Sequence, residues 1–196
     1  MSFAAKYIDA WLRVAETVDV TAVERAVEVL AAARERDATV WTVGNGGCGA
    51  LASHLAIGLT LNTRRSGGRP FRAVSLSADA AALSAAVNDF GPRDALSALL
   101  ECNGRTGDVL CAFTVSGESA NVNQAIAVAG AADMPVVALV GTPGSTAARL
   151  ADHPVLLGSA EPGIAEDVAS AVMHAMYCSF MYEGSPSLPE GFSSAH

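Results

Sequence analysis

The chain has 196 residues, with 12 lysines and arginines against 20 acidic residues and a formal net charge of −8. This length fits one domain with a sizeable core. At 51% hydrophobic and 16% charged residues, a disordered chain is excluded, and the basic footprint of a nucleic-acid binder is missing. So little charge to cover a monomer's surface points to self-association.

In the first 36 residues, apolar side chains recur at helical spacing: Phe3, Tyr7, Ile8, Trp11 and Leu12, then Val23, Ala26, Val27, Val29 and Leu30. Asp19 and Thr21 supply capping groups between the two helices. Asp9, Arg13 and Glu16 interrupt the first helix, unlike the unbroken apolar core of a secretory signal. From Thr39 onward, short β-branched runs end in glycine or serine clusters, each followed by an alanine-rich stretch. Strands are expected at 39–43, 73–76, 108–115, 135–140 and 155–157, and helices near 49–61, 78–87, 93–100, 120–131, 146–150 and 162–182.

This alternation predicts an α/β fold, a doubly wound parallel sheet flanked by helices. Its strands are apolar throughout because both sheet faces are covered. The expected organisation is one domain: a helical extension over 1–37, an α/β core over 38–183 and an irregular tail over 184–196. The most apolar stretch, from Ala125 to Val140, is broken by Asp133 and Pro135 and is shorter than the ~18 apolar residues of a membrane span. No membrane partner is expected. Cys48, Cys102, Cys111 and Cys178 form no C-x-x-C pair, which suits reduced thiols and a cytoplasmic location.

In open parallel sheets, ligands bind beyond the carboxyl ends of the strands. Two such ends carry unusual loops. Gly44-Asn45-Gly46-Gly47-Cys48-Gly49 puts four glycines in six residues before a helix, so the backbone can approach a ligand and the helix start favours an anion. No G-K-[ST] follows, so it is not a Walker loop. Ser116-Gly117-Glu118-Ser119-Ala120-Asn121 offers two hydroxyls and free N–H groups at another helix start. It suits a phosphate, and Ser119 equally suits a simple N-cap. Together the two loops point to a small phosphorylated ligand. His54 lies in the second turn of the helix after the first loop, and His174 lies eight residues after Glu166, roughly on one helix face. Imidazole and carboxylate are ordinary zinc ligands.

GNGGCGALASHLAIGLT (44–60), NDFG (88–91), GDVLCAFTVSGESANVNQAI (107–126) and EDVASAVMH (166–174) stand in one order along the chain. This ordered set resembles the SIS (sugar isomerase) domain of the phosphoheptose isomerase family over roughly residues 3–182. The resemblance implies a five-stranded parallel sheet, a homotetramer with active sites between subunits, and isomerisation of sedoheptulose 7-phosphate, often with zinc. By position, Ser116 and Ser119 would hold phosphate with Thr114 nearby. Asn45, Gly46 and Cys48 would line the sugar, and Asp89 would contact its hydroxyls. His54 and His174 match the family's metal-binding histidines, and His174 also matches its acid/base histidine.

The departures from the family are specific. Gly58 stands where it has a catalytic glutamate, Glu166 where it has a glutamine, Cys48 where it has a serine and Val115 where it has a threonine. These exchanges lead to the expectation that Glu166 takes over the lost carboxylate's role. His54, Glu166 and His174 would then form a zinc site with an open position. Glu166 would act as base and His174 as acid or ligand, with Glu118 or Asp89 available for ring opening. Glu166 also suits an ordinary first-turn helix position.

The expected activity is phosphosugar aldose–ketose isomerisation, on the usual heptulose phosphate or another C7 or C8 ketose phosphate. The alternative is a non-catalytic phosphosugar-binding or scaffold module. Homo-oligomer contacts are expected from Phe3, Trp11 and Leu12, and from Val172, Met173 and Met176 of the last helix.

Overall fold

A computed structural model of the chain describes residues 1–185. Five strands, β1 (Thr39–Gly44), β2 (Arg72–Ser75), β3 (Val109–Thr114), β4 (Val136–Val140) and β5 (His153–Leu156), form one sheet in the order β2-β1-β3-β4-β5. Every pairing is parallel, with Val43 opposite Ala112 and Leu139 opposite Val155 in the register. All residues of β3 and β4 are buried, as expected of strands covered on both faces. The expected fold is therefore the observed one.

The helices divide between the two faces. One cluster gathers Ala26 and Leu30 of α2 (Val20–Glu35), Ala52 and Leu55 of α3 (Gly46–Ile57), and Met173 and Met176 of α8 (Pro162–Met181) against Val40, Cys111 and Leu139. The other gathers Leu96 and Leu100 of α5 (Ala80–Asn103), Val122 and Ile126 of α6 (Ala120–Ala131), and Ala147 of α7 (Thr146–Leu150) against Val43, Leu110 and Ala138. Fully burying one such Leu, Ile or Met stabilises by about 1.5–3 kcal/mol.

Several expectations change in detail. The 1–37 segment is not uniformly an extension, because α2 buries Ala22, Ala26, Leu30 and Ala33 and belongs to the domain's own layer. Only α1 (Phe3–Ala15) buries no residue. It is tied to α8 by Tyr7 Oη donating to Asp167 at 2.7 Å, a bond that pushes the phenol's pKa up to about 12. Val172, Met173 and Met176 are not free for a partner subunit, since they pack into this chain's own core. Phe3, Ile8 and Leu12 do stay exposed.

The helix expected at 49–61 starts earlier, at Gly46. It ends in a π-helical turn (Gly58–Asn62) followed by the short α4 (Thr63–Arg65). The two helices expected at 78–87 and 93–100 are arms of α5, broken where Gly91 takes φ 81° and ψ 164° before Pro92. β5 begins at His153, ahead of Pro154, on the sheet edge where proline is tolerated. The tail lies outside the described residues beyond 185. No helix among those described is long and apolar enough to cross a membrane, and all four cysteines are free.

Candidate active site

The strand order reverses between β1 and β3, and the loops leaving these two strands flank a crevice at their carboxyl ends. A cavity of about 250 Å³ opens there, lined by Asn45 and Cys48 from the first loop, by Thr114, Val115, Ser116 and Ser119 from the second, and by Glu166 of α8. A larger cleft of about 400 Å³ lies at the amino ends of the strands, around Thr39, Arg72 and Asp108. Asp108 is fully engaged there, accepting from Thr39 N at 2.8 Å, Trp41 Nε1 at 2.9 Å and Arg105 N at 3.0 Å. That end of a parallel sheet is not where ligands bind.

The second loop is held in shape by its own groups. Thr114 Oγ1 accepts from Gly117 N at 3.2 Å, and Ser116 Oγ accepts from Glu118 N at 3.1 Å. Ser119 precedes α6 but makes no side-chain cap bond, so its hydroxyl remains to meet a ligand beside the helix start. Glu118 turns the other way. It accepts from Thr146 N at 2.8 Å and Thr146 Oγ1 at 2.7 Å, which holds its carboxyl below the usual range and commits it to capping α7. The first loop meets the second through a reciprocal amide pair. Asn45 Nδ2 donates to Asn121 Oδ1 at 2.9 Å, and Asn121 Nδ2 donates to Asn45 Oδ1 at 2.8 Å.

Glu166 enters this cavity because position 47 has no side chain. A Cβ on Gly47 would lie 2.6 Å from Glu166 Cδ, so the carboxylate rests directly on the first turn of α3. Cys48 Sγ lies 3.8 Å from its Oε1. Burial pushes the Cys48 thiol up and the adjacent carboxylate adds to that rise, so Cys48 is a neutral thiol rather than a nucleophile. No basic side chain pairs with Glu166 among the described residues.

His54 and His174 meet elsewhere on the α3–α8 interface, their rings edge to face with centroids 4.9 Å apart. His174 Nδ1 lies 2.6 Å from Ser170 O, as a donor to that carbonyl, which leaves Nε2 as the free nitrogen. Desolvation lowers the His54 pKa, and His174 lowers it further.

The expected zinc trio is not brought together. The Glu166 carboxylate turns to Cys48, while the two imidazoles face each other. Among the described residues no group of three His, Cys, Asp or Glu could hold a metal ion. Two imidazoles fall short of the three protein ligands of a catalytic zinc.

Of the residues expected from sequence, Asn45, Cys48, Thr114, Ser116, Ser119 and Glu166 thus share one cavity. Gly46 lines a neighbouring hollow with Ser53 and Ser77. Asp89 does not line the cavity. It is exposed on α5 and accepts from Asn88 Nδ2 at 2.8 Å. Gly47 and Asn121 stood in the two expected loops without a role of their own, and Tyr177, which packs against both histidines, escaped the sequence reading.

The SIS domain family matches residues 2–141 of this chain. The phosphoheptose isomerase of Chlorobaculum parvum is 42% identical over 122 residues, 60% of this chain and 58% of that protein. That of Neisseria meningitidis serogroup C is 36% identical over 165 residues, 83% of each chain. The solved phosphoheptose isomerase from Neisseria gonorrhoeae superposes with a TM-score of 0.81 at 31% identity, covering 90% of this chain and 96% of that one. The one from Francisella tularensis reaches 0.80 at 23% identity, covering 92% and 98%, and shares the fold. With fold, loop order and relatives in agreement, the chain belongs to the SIS domain family, within its phosphoheptose isomerases.

Proposed function

We propose that the protein is a phosphosugar aldose–ketose isomerase acting on sedoheptulose 7-phosphate or another C7 or C8 ketose phosphate. One observation carries the reading: a single cavity joins the hydroxyls at the start of α6 to the carboxylate of Glu166. The phosphate is assigned to Ser116, Ser119 and the N–H groups opening α6. Among the described residues no basic side chain lines this cavity, so dipoles rather than cations are assigned to hold the dianion.

In the ketose-to-aldose direction, Glu166 removes a proton from C1 and the C1–C2 enediolate forms with its charge on O2. The proton returns to C2 while the O1 proton leaves as the C1 carbonyl forms. O2 takes up a proton, and no oxidant or reductant is needed. A placed acid/base pair contributes about 10²–10⁴-fold to such a step. His174 does not line this cavity, so the proton on the oxygen side is assigned to its Nε2 acting through a bridging water. No step is routed through zinc, because among the described residues no three donors complete a site for it. Self-association, expected as a tetramer, is supported by the exposed Phe3, Ile8 and Leu12 of α1.

Glu166→Gln tests the assignment. Turnover of C7 and C8 ketose phosphates is expected to fall at least about 10²-fold, with substrate still bound. Unchanged turnover would remove Glu166 from the chemistry. Binding without turnover in the unmodified protein would instead favour a phosphosugar-binding module.

A further inference from the structure

Position 58 lies one helical turn after His54, so a side chain there would project beside both imidazoles. The chain has glycine, and the space is not empty. A Cβ on Gly58 would lie 2.7 Å from both Cγ and Cε1 of Tyr177 and nearer still to Cδ1. Non-bonded carbons normally stay about 3.5–4.0 Å apart, so any side chain at 58 would have to expel the ring.

The same ring faces both histidines, its centroid 5.2 Å from that of His174 and 6.2 Å from that of His54. Tyr177 is buried, three residues after His174 on the same face of α8. The notch opens the π-helical turn that runs from Gly58 to Asn62. The ring is therefore seated between the notch at Gly58 and the two imidazoles. π-Helical turns inside α-helices recur at functional sites, and this one sits where the ring is received.

We propose that Tyr177 is the positioning residue of the His54–His174 pair. Seated in the Gly58 notch, its ring holds the two imidazoles edge to face and takes the volume a third donor from α3 would need. The pair therefore works as two oriented imidazoles, not as two-thirds of a metal site. The claim about catalysis rests on the isomerase reading above. The claim about geometry and metal does not.

The test compares Tyr177→Phe, Tyr177→Ala, Gly58→Ala and the double variant Gly58→Glu/Tyr177→Ala. Three readouts are used: zinc titration calorimetry, the imidazole signals in heteronuclear NMR, and steady-state kinetics. Circular dichroism confirms that each variant folds. Tyr177→Phe keeps the ring, so both imidazole signals should stay in place and kcat should stay within about twofold. Tyr177→Ala and Gly58→Ala displace or remove the ring. Both should shift the signals of His54 and His174 together and lower kcat about tenfold or more with KM unchanged.

The unmodified protein should show no saturable zinc binding. The double variant, with a carboxylate and room for it, should bind one zinc per chain, and His54→Ala should abolish that binding. One zinc per unmodified chain, lost on His54→Ala, would overturn the proposal. So would imidazole signals that ignore Tyr177→Ala. If no substrate is turned over, the isomerase reading fails alone, and the zinc and NMR results still decide the role of Tyr177.

Discussion

Adding one methyl group at position 47 should separate activity from stability. Gly47 lies in the first turn of α3 and has no positive φ, so alanine fits the backbone. In a helix, alanine is favoured over glycine by up to about 1 kcal/mol. The new Cβ would sit 2.6 Å from Glu166 Cδ, whereas carbon atoms at rest keep about 3.5 Å or more apart. The carboxylate must therefore retreat by about 1 Å. A misplacement of about 1 Å in a reacting geometry costs about 10²-fold in rate, or about 2.7 kcal/mol of barrier. Gly47→Ala is thus expected to melt at the same temperature or slightly higher while kcat falls about 10²-fold. Thermal denaturation and steady-state kinetics on the same preparation measure both. An alanine variant turning over within about twofold of the unmodified protein would refute the idea that the seat on α3 aims Glu166.

Two further outcomes concern stability. Asp108→Ala leaves the donors of Thr39, Trp41 and Arg105 without their shared acceptor. At about 1–3 kcal/mol for each unmet donor, urea denaturation should show a loss of about 3 kcal/mol or more, and a loss under about 1 kcal/mol would contradict the accounting. For His54, burial lowers the folded-state pKa from the ordinary 6.5, so the unfolded chain takes up the proton first as pH falls. Stability should therefore decline as pH drops below about 6.5 toward the folded value. His54→Gln should flatten that slope in urea midpoints measured across the range, and an unchanged slope would show that His54 does not set it.

Much of the scaffold was legible because its cause is local. The runs beginning at Thr39, Val109 and Val136 are apolar without alternation, and only a sheet covered on both faces asks for that. The two glycine- and serine-rich loops marked the switch point for the same reason, since turn chemistry is written in the residues themselves.

Other features depended on distant partners. Glycine is a poor helix former, so the start of α3 at Gly46 was hidden behind Gly46 and Gly47. The stripe of Val172, Met173 and Met176 reads as a buried helix face, but periodicity does not say whether this chain or another copy buries it. Glu166 and His174 share a helix face by spacing, yet which way the carboxylate turns is decided by Gly47, more than a hundred residues away. Tyr177 was invisible for the same reason. A glycine in the sequence announces a missing side chain and never what fills the space.

The amide pair of Asn45 and Asn121 has a consequence for selectivity. Each side chain gives the other one hydrogen bond and takes one in return, which leaves each amide one further N–H for a ligand. A ligand group that replaces either partner must both give and receive a hydrogen bond, or it leaves a polar atom unmet. A hydroxyl does both, while the oxygens of a fully ionised phosphate only receive. In the proposed isomerase reading, the bridge between the two loops favours a polyol hydroxyl beside the amides and leaves the phosphate to the serines.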